Sequence, residues 1–86
     1  MKIVLAIAAF PLLLSAPAFA KKSCTKEPKS RWMSEEAFKK KATEEGYKIR
    51  KFKQPGSCYE IYGTDKTGAE VEIYFNPVDG SIVRKE

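Results

Sequence analysis

The sequence has 86 residues, with sixteen Lys and Arg against eleven Asp and Glu, and it contains no histidine. A chain of this length holds one small domain at most, and the missing histidine removes the commonest general base and metal ligand. Acyl transfer by a Ser–His or Cys–His pair is therefore excluded. The carboxylates are spread over predicted strands and turns, so we expect no enzyme, no cofactor and no metal site.

Residues 1–20 have the pattern of a secretory signal peptide. Lys2 precedes a run, Ile3 to Leu14, in which every residue is apolar or Pro, and Ala18-Phe19-Ala20 places small residues before a cleavage site. A spanning helix needs about 20 apolar residues, and this run is shorter and interrupted by Pro11. The alternatives are an uncleaved anchor or, less favoured because Cys24 lies beyond the cleavage site, a lipoprotein.

Cleavage after residue 20 would leave residues 21–86 without Lys2, and therefore with a net charge of +4. We predict that this part is periplasmic or secreted, with no membrane span after cleavage and no nucleic-acid partner. Its two cysteines, Cys24 and Cys58, would meet an oxidising compartment, where a structural disulfide is the simplest expectation. A reactive or metal-binding pair is the alternative, but redox pairs are usually close in sequence and two thiols without histidine make a poor zinc site.

Residues 21–31 have the composition of a polar leader, and a helix is predicted from Ser34 to Glu45. Ser34 is a good N-cap, Met33 before it can pack on Phe38, and Gly46 is a ready C-terminal stop.

After Gly46 the apolar residues recur with the period of strands. Four strands are predicted, over residues 47–52, 58–62, 69–75 and 81–84, with turns at 54–56, 63–68 and 76–80. Connections this short favour antiparallel hairpins. The predicted fold class is α+β, with one N-terminal helix packed on one face of a four-stranded antiparallel meander sheet, preceded by the signal peptide. The residues expected in the core are Ala37, Phe38, Ala42, Ile49, Ile61, Val71, Ile73 and Phe75, with Val83 or Ile82.

An ordered set of short segments runs through residues 31–86. The set consists of Trp32, Ser34-Glu35-Glu36-Ala37, Gly46-Tyr47, Cys58-Tyr59-Glu60-Ile61, Asp65-Lys66-Thr67-Gly68, Val71-Glu72-Ile73-Tyr74 and Asn76-Pro77-Val78-Asp79-Gly80-Ser81-Ile82-Val83. Together these segments resemble the PepSY-like domain, a family named for peptidase propeptides. The resemblance implies a small extracytoplasmic α+β domain that inhibits the adjoining protease in propeptides, and a binding or regulatory module without catalysis in stand-alone copies. The chain is thus divided into a signal peptide (1–20), a polar leader (21–31) and a PepSY-like domain (32–86).

Two groups of residues are candidates for binding. Tyr59, Tyr62 and Tyr74 would form a protein or peptide site if they are exposed on the sheet face opposite the helix, because Tyr is favoured at interfaces. The alternative is that they fill the core or cover the disulfide. Four basic residues of the first strand could contact an anionic partner, or could be solvated residues that protect a sheet edge: Lys48, Arg50, Lys51 and Lys53.

The leading hypothesis is a small exported binding or regulatory module that binds or inhibits a peptidase or another envelope protein. It would act through the exposed sheet face or an edge strand that pairs with an extended peptide. The alternative is a cationic module that binds anionic lipid or polysaccharide at the cell envelope. A small hydrolase using Glu70 and Glu72 is disfavoured, because those two side chains are expected on a solvated strand face.

Overall fold

The computed structural model describes residues 22–86. Within them, a short 3-10 turn (Lys29–Arg31) is followed by helix α1 (Glu35–Glu44) and strands β1 (Lys48–Lys53), β2 (Tyr59–Thr64), β3 (Glu70–Phe75) and β4 (Ile82–Lys85). The strands pair in the order β1-β2-β3-β4, and every pair is antiparallel. The predicted α+β meander with one helix on its face is therefore confirmed. The predicted signal peptide lies outside the described residues.

Helix α1 begins and ends where its capping residues predict. The Ala37 N–H donates to Ser34 Oγ at 3.0 Å, so Ser34 is the N-cap, and the acidic Glu35 and Glu36 follow in the first turn. Gly46 has a φ of +105°, in the left-handed region that glycine tolerates best, and its N–H donates to Thr43 O. These caps satisfy backbone groups that a ten-residue helix would otherwise leave open at both ends.

The core lies between α1 and the sheet, with Phe38 at its centre. The Phe38 ring centroid is 4.9 Å from that of Phe75 and 5.1 Å from that of Tyr59. The buried members of this cluster are Phe38, Ala42, Tyr59, Ile61, Ile73 and Phe75. Ile49 and Val71 are partly buried at its margin, as are Trp32 and Met33, which precede the helix.

Ala37 and both candidates for the last core position, Ile82 and Val83, are exposed instead. Ala37 lies outside the narrow buried stripe of α1, which consists of Phe38 and Ala42 alone. Ile82 and Val83 retain 47% and 43% of their surface because β4 is the outer strand, whereas α1 lies nearest β1 at the other side of the sheet. The helix is too short to cover all four strands.

Strand β1 departs from simple alternation at a bulge. Lys48 and Ile49 oppose Thr64 and Gly63, but the next paired residue is Lys51, so Arg50 is the extra residue. Beyond the bulge Phe52 faces the helix like Ile49, although strict alternation would place the two on opposite faces. Gly63, expected in a turn, lies inside β2.

The turns are closed by short side chains, as their composition predicts. Asp65 Oδ1 accepts from the N–H groups of Thr67 and Ala69, and Asp79 Oδ1 accepts from the N–H of Ser81. Hydrogen bonds from Thr67 and from Ser81 lower the pKa of Asp65 and Asp79, respectively. Both carboxylates therefore stabilise turns.

Candidate functional site

The sheet face opposite α1, called the open face below, carries alternate side chains of β2 and β3. Glu60 opposes Tyr74 across the two strands, and Tyr62 opposes Glu72. These four residues form a compact group at the centre of the face, named here the carboxyl–tyrosine cluster.

The three tyrosines predicted for binding do not come together. Tyr59 belongs to the core on the helix side, where its hydroxyl donates to Met33 O at 2.5 Å and its ring meets Trp32 edge-on at 5.7 Å. Tyr62 and Tyr74 lie on the open face, the first half-buried and the second buried. The alternative, that the tyrosines fill the core, thus applies to Tyr59, and on the open face neither Tyr62 nor Tyr74 is fully exposed.

The Glu60 carboxyl is the most unusual group of the cluster. Only 3% of Glu60 is exposed, and its Oε2 is a buried atom that receives no hydrogen bond from any described residue. Burial, and next a side-chain hydrogen bond with Glu72, raises the pKa of Glu60. The same hydrogen bond lowers the pKa of Glu72. Glu60 therefore holds its proton more tightly than an ordinary glutamate does, and Glu72 releases its proton more readily.

The tyrosine hydroxyls complete this network. Tyr74 Oη donates to Glu72 Oε2 at 3.3 Å. A hydrogen bond to Glu72 is the main cause that raises the pKa of Tyr62 to about 12, and burial is the main cause that raises the pKa of Tyr74. Both phenols consequently remain neutral donors at ordinary pH. The four side chains are therefore linked to one another by hydrogen bonds.

A segment before the helix, residues 22–27, reaches the open face and is named here the strap. Cys24 forms a disulfide with Cys58, which confirms the predicted pair, and Cys58 precedes Glu60 on the same strand face. The Ser57 N–H donates to Lys22 O at 3.1 Å, and Cys24 N–H donates to Ser57 Oγ at 2.8 Å. These bonds place Lys22 Nζ 4.9 Å from the Tyr74 ring centroid, within cation–π range.

The four predicted basic residues all belong to β1, and the bulge at Arg50 decides where they point. Lys48, Lys51 and Lys53 oppose Thr64, Tyr62 and Glu60, so all three share the open face. Arg50 forms an ion pair with Glu70, at 3.1 Å between Nη2 and Oε1. The structure therefore brings the four together on one face beside the carboxyl–tyrosine cluster.

The outer edge of β4 is a second exposed feature. Within residues 22–86 no strand pairs with that edge, and Ile82 and Val83 are the large hydrophobic side chains exposed there. The opposite edge, β1, is rich in lysine, which discourages edge pairing. The described residues contain no helix long and apolar enough to cross a membrane and no cluster of His, Cys, Asp or Glu suited to a metal ion.

The family model described as the peptidase propeptide and YPEB domain (PepSY) matches residues 4–86. The chain belongs to the PepSY family. The resemblance found from the sequence over residues 31–86 is thereby confirmed, and the match extends further toward the N-terminus. In this PepSY chain, Asn76 to Ser81 form the β3–β4 turn, where Asn76 Oδ1 accepts from the Val78 N–H at 2.8 Å. No curated protein and no solved structure matches the chain.

Sequence reasoning missed the burial of Glu60 and the role of the strap in this PepSY domain. One signal was available for Glu60, because Cys58 lies two residues earlier on the same strand face and a disulfide there brings covering chain with it. The position of Lys22 over Tyr74 had no comparable signal, since the polar composition of residues 21–31 indicates only solvent exposure.

Proposed function

We propose that this PepSY chain is an exported, non-catalytic module that binds an envelope protein, in the first place a peptidase, by pairing the outer edge of β4 with an extended segment of that partner. The observation that carries the proposal is the unpaired β4 edge of the described sheet, with Ile82 and Val83 exposed. Strand addition uses such an edge, with main-chain hydrogen bonds for affinity and alternate side chains for specificity.

The backbone at the end of β4 has donors that such a partner could use. The Glu86 N–H donates into the sheet, to Glu72 O at 2.8 Å, so strand alternation turns the N–H of Lys85 outward. An unpaired strand edge of this kind is a template for pairing with another chain. The family description, peptidase propeptide, supports a peptidase as the first partner to test.

The absence of catalysis is part of the proposal and is supported by the chemistry of the chain. The sequence offers no histidine, and Glu60 and Glu72, the carboxyls that interact most closely, are engaged with each other. Export is supported by the leader pattern of residues 1–20. Intact-mass analysis of the exported protein should show cleavage after Ala20, whereas a retained leader would contradict export by this route.

The edge proposal is tested by Lys85→Pro with Lys85→Ala as the matched control. Proline removes an outward N–H and fits an edge strand, so the domain should keep its melting temperature. Full-length chain is expressed with its own leader, and the exported, tagged protein is used to capture envelope proteins and to assay envelope peptidase activity. Wild type and Lys85→Ala should capture the same protein and lower its activity, and Lys85→Pro should do neither. Equal capture by all three variants, or no capture by any, would contradict the proposal.

A further inference from the structure

The lysines of this domain fall into two groups with different partners. On α1, Lys39, Lys40 and Lys41 each form an ion pair with a glutamate one helical turn away: Glu35, Glu44 and Glu45, respectively. On β1, Lys48, Lys51 and Lys53 are exposed and form no ion pair with a carboxylate among the described residues. The positive charge of α1 is thus locally compensated, whereas that of β1 is available to a ligand.

The bulge at Arg50 turns these three lysines into a regular row. Their positions in the sequence are unevenly spaced, but their partners on β2 are Thr64, Tyr62 and Glu60, which are two residues apart in each case. Two residues of a strand span roughly 7 Å. The row, named here the β1 lysine row, therefore places three lysines on one face of an edge strand, with backbone positions about 7 Å apart along the partner strand.

Tyr62 holds two members of the row in place. Lys51 Nζ and Lys53 Nζ lie 5.3 Å and 5.7 Å from the Tyr62 ring centroid. Both distances are within cation–π range, so less side-chain freedom is lost when the ammonium groups meet an anion. Glu60, the carboxyl opposite Lys53, is buried and offers little competing charge at the surface.

We propose that the β1 lysine row binds a linear anionic polysaccharide of the cell envelope, with the polymer lying along β1 and its carboxylates meeting Lys48, Lys51 and Lys53. This site is separate from the β4 edge, which is at the other side of the sheet. The occupant is chosen by charge and shape, because the row carries three uncompensated lysines and is one strand wide, which fits a single extended polyanion.

A lipid bilayer fits this surface less well. Binding at a bilayer interface combines basic residues with apolar side chains that enter the same membrane surface. The exposed apolar residues, Ile82 and Val83, belong to β4, and Ile82 pairs with Phe75, which faces the helix side. Ile82 therefore faces away from a membrane that contacts the β1 lysine row, and both residues lie on the strand at the far side of the sheet from that row.

The test measures binding of the exported protein to polygalacturonate, a linear uronic acid polymer, with neutral dextran as the control polymer. The variant Lys48→Gln/Lys51→Gln/Lys53→Gln is compared with Lys39→Gln/Lys40→Gln/Lys41→Gln, which removes the same charge from α1. Each lysine that contacts the anion should contribute about fivefold to the binding affinity. The row variant should therefore bind on the order of 100-fold more weakly than wild type, and the helix variant under about twofold more weakly. The slope of log affinity against log salt should also fall in magnitude for the row variant alone.

Two further measurements keep the outcomes separate. The variant Lys48→Arg/Lys51→Arg/Lys53→Arg should retain binding, which excludes misfolding as the cause of the loss. Vesicles of phosphatidylglycerol and phosphatidylcholine should bind more weakly than the polymer. Equal losses in the row and helix variants, binding to dextran, or binding to vesicles in preference to polygalacturonate would overturn the proposal. The row variant leaves Lys85 and the rest of β4 unchanged. Whether this variant still captures an envelope protein therefore tests the β4 edge independently of the β1 lysine row.

Discussion

Replacing Glu60 by glutamine tests whether the buried carboxyl carries a proton. The pKa of Glu60 is raised above its ordinary value of 4.5, so the folded chain holds this proton more tightly than the unfolded chain does. Below that value both states are protonated and folding incurs no penalty from Glu60. Stability is then lost as the pH rises through the raised pKa of the folded state. Glutamine cannot ionise, so Glu60→Gln should remove this loss.

The expected magnitude follows from the buried Oε2, which lacks a donor when the carboxyl is ionised. A buried acceptor left without a partner costs about 1–3 kcal/mol. The amide of glutamine supplies a donor at that position and can donate to Glu72. The variant should therefore be about 1–3 kcal/mol more stable than wild type at pH 8 and equal to it near pH 4. For a domain of this size, each kcal/mol corresponds to roughly 4–8 °C in melting temperature.

The assay is thermal and urea unfolding of both proteins between pH 4 and 8, with carboxyl-carbon NMR titration of Glu60. Glu36→Gln, at an exposed position in the first turn of α1, is the matched control and should not stabilise the domain at pH 8. Glu72→Gln should bring the pKa of Glu60 closer to its ordinary value, because the neighbouring carboxylate is one cause of the rise. A Glu60 titration midpoint at or below 4.5, or a Glu60→Gln effect independent of pH, would refute the reasoning.

Three substitutions test the fold itself. Ser34→Ala should lower the free energy of unfolding, measured in urea, by about 1 kcal/mol because the N-cap is lost. Ser34→Asp should keep most of the wild-type stability because aspartate is also a good N-cap. Gly63→Ala should lower the free energy of unfolding by at least about 3 kcal/mol, because the added Cβ would lie 1.8 Å from the backbone oxygen of Lys48. If the variant is soluble and as stable as wild type, the register of β1 and β2 is wrong. The double change Cys24→Ser/Cys58→Ser opens a loop with a sequence separation of 34 and should lower the free energy of unfolding by about 4 kcal/mol. A reductant should lower the melting temperature of wild type but leave that of the double variant unchanged.

Much of the fold could be predicted from the sequence because capping residues and turn residues mark where the elements begin and end. Ser34 and Gly46 mark the ends of α1, and Asp65 and Asp79 close their turns through their own carboxylates. The prediction failed where tertiary position decides burial. Ile82 has a suitable side chain for the core, but it lies on the strand farthest from a short helix.

The open face was harder to predict, for two physical reasons. A bulge changes the facing of every later residue in a strand, so the common face of Lys48 and Lys51 could not be read from alternation. A buried carboxyl is expected only when something covers it, and the strap that reaches Tyr74 has a polar composition. Both features depend on contacts between segments that are distant in sequence.

The burial of Glu60 and the disulfide are linked through the strap. Cys24 anchors the strap to Cys58, two residues before Glu60 on the same face, and Lys22 lies over Tyr74, the cross-strand partner of Glu60. Since burial is the largest cause of the raised pKa of Glu60, opening the disulfide should hydrate that carboxyl and lower its pKa toward 4.5. The Cys24→Ser/Cys58→Ser protein should then lose less stability than wild type as the pH rises from 4.5 to 8, although it is less stable throughout. An unchanged Glu60 titration in that variant would mean that β2 and β3 alone bury the carboxyl, and that the strap contributes only the loop constraint.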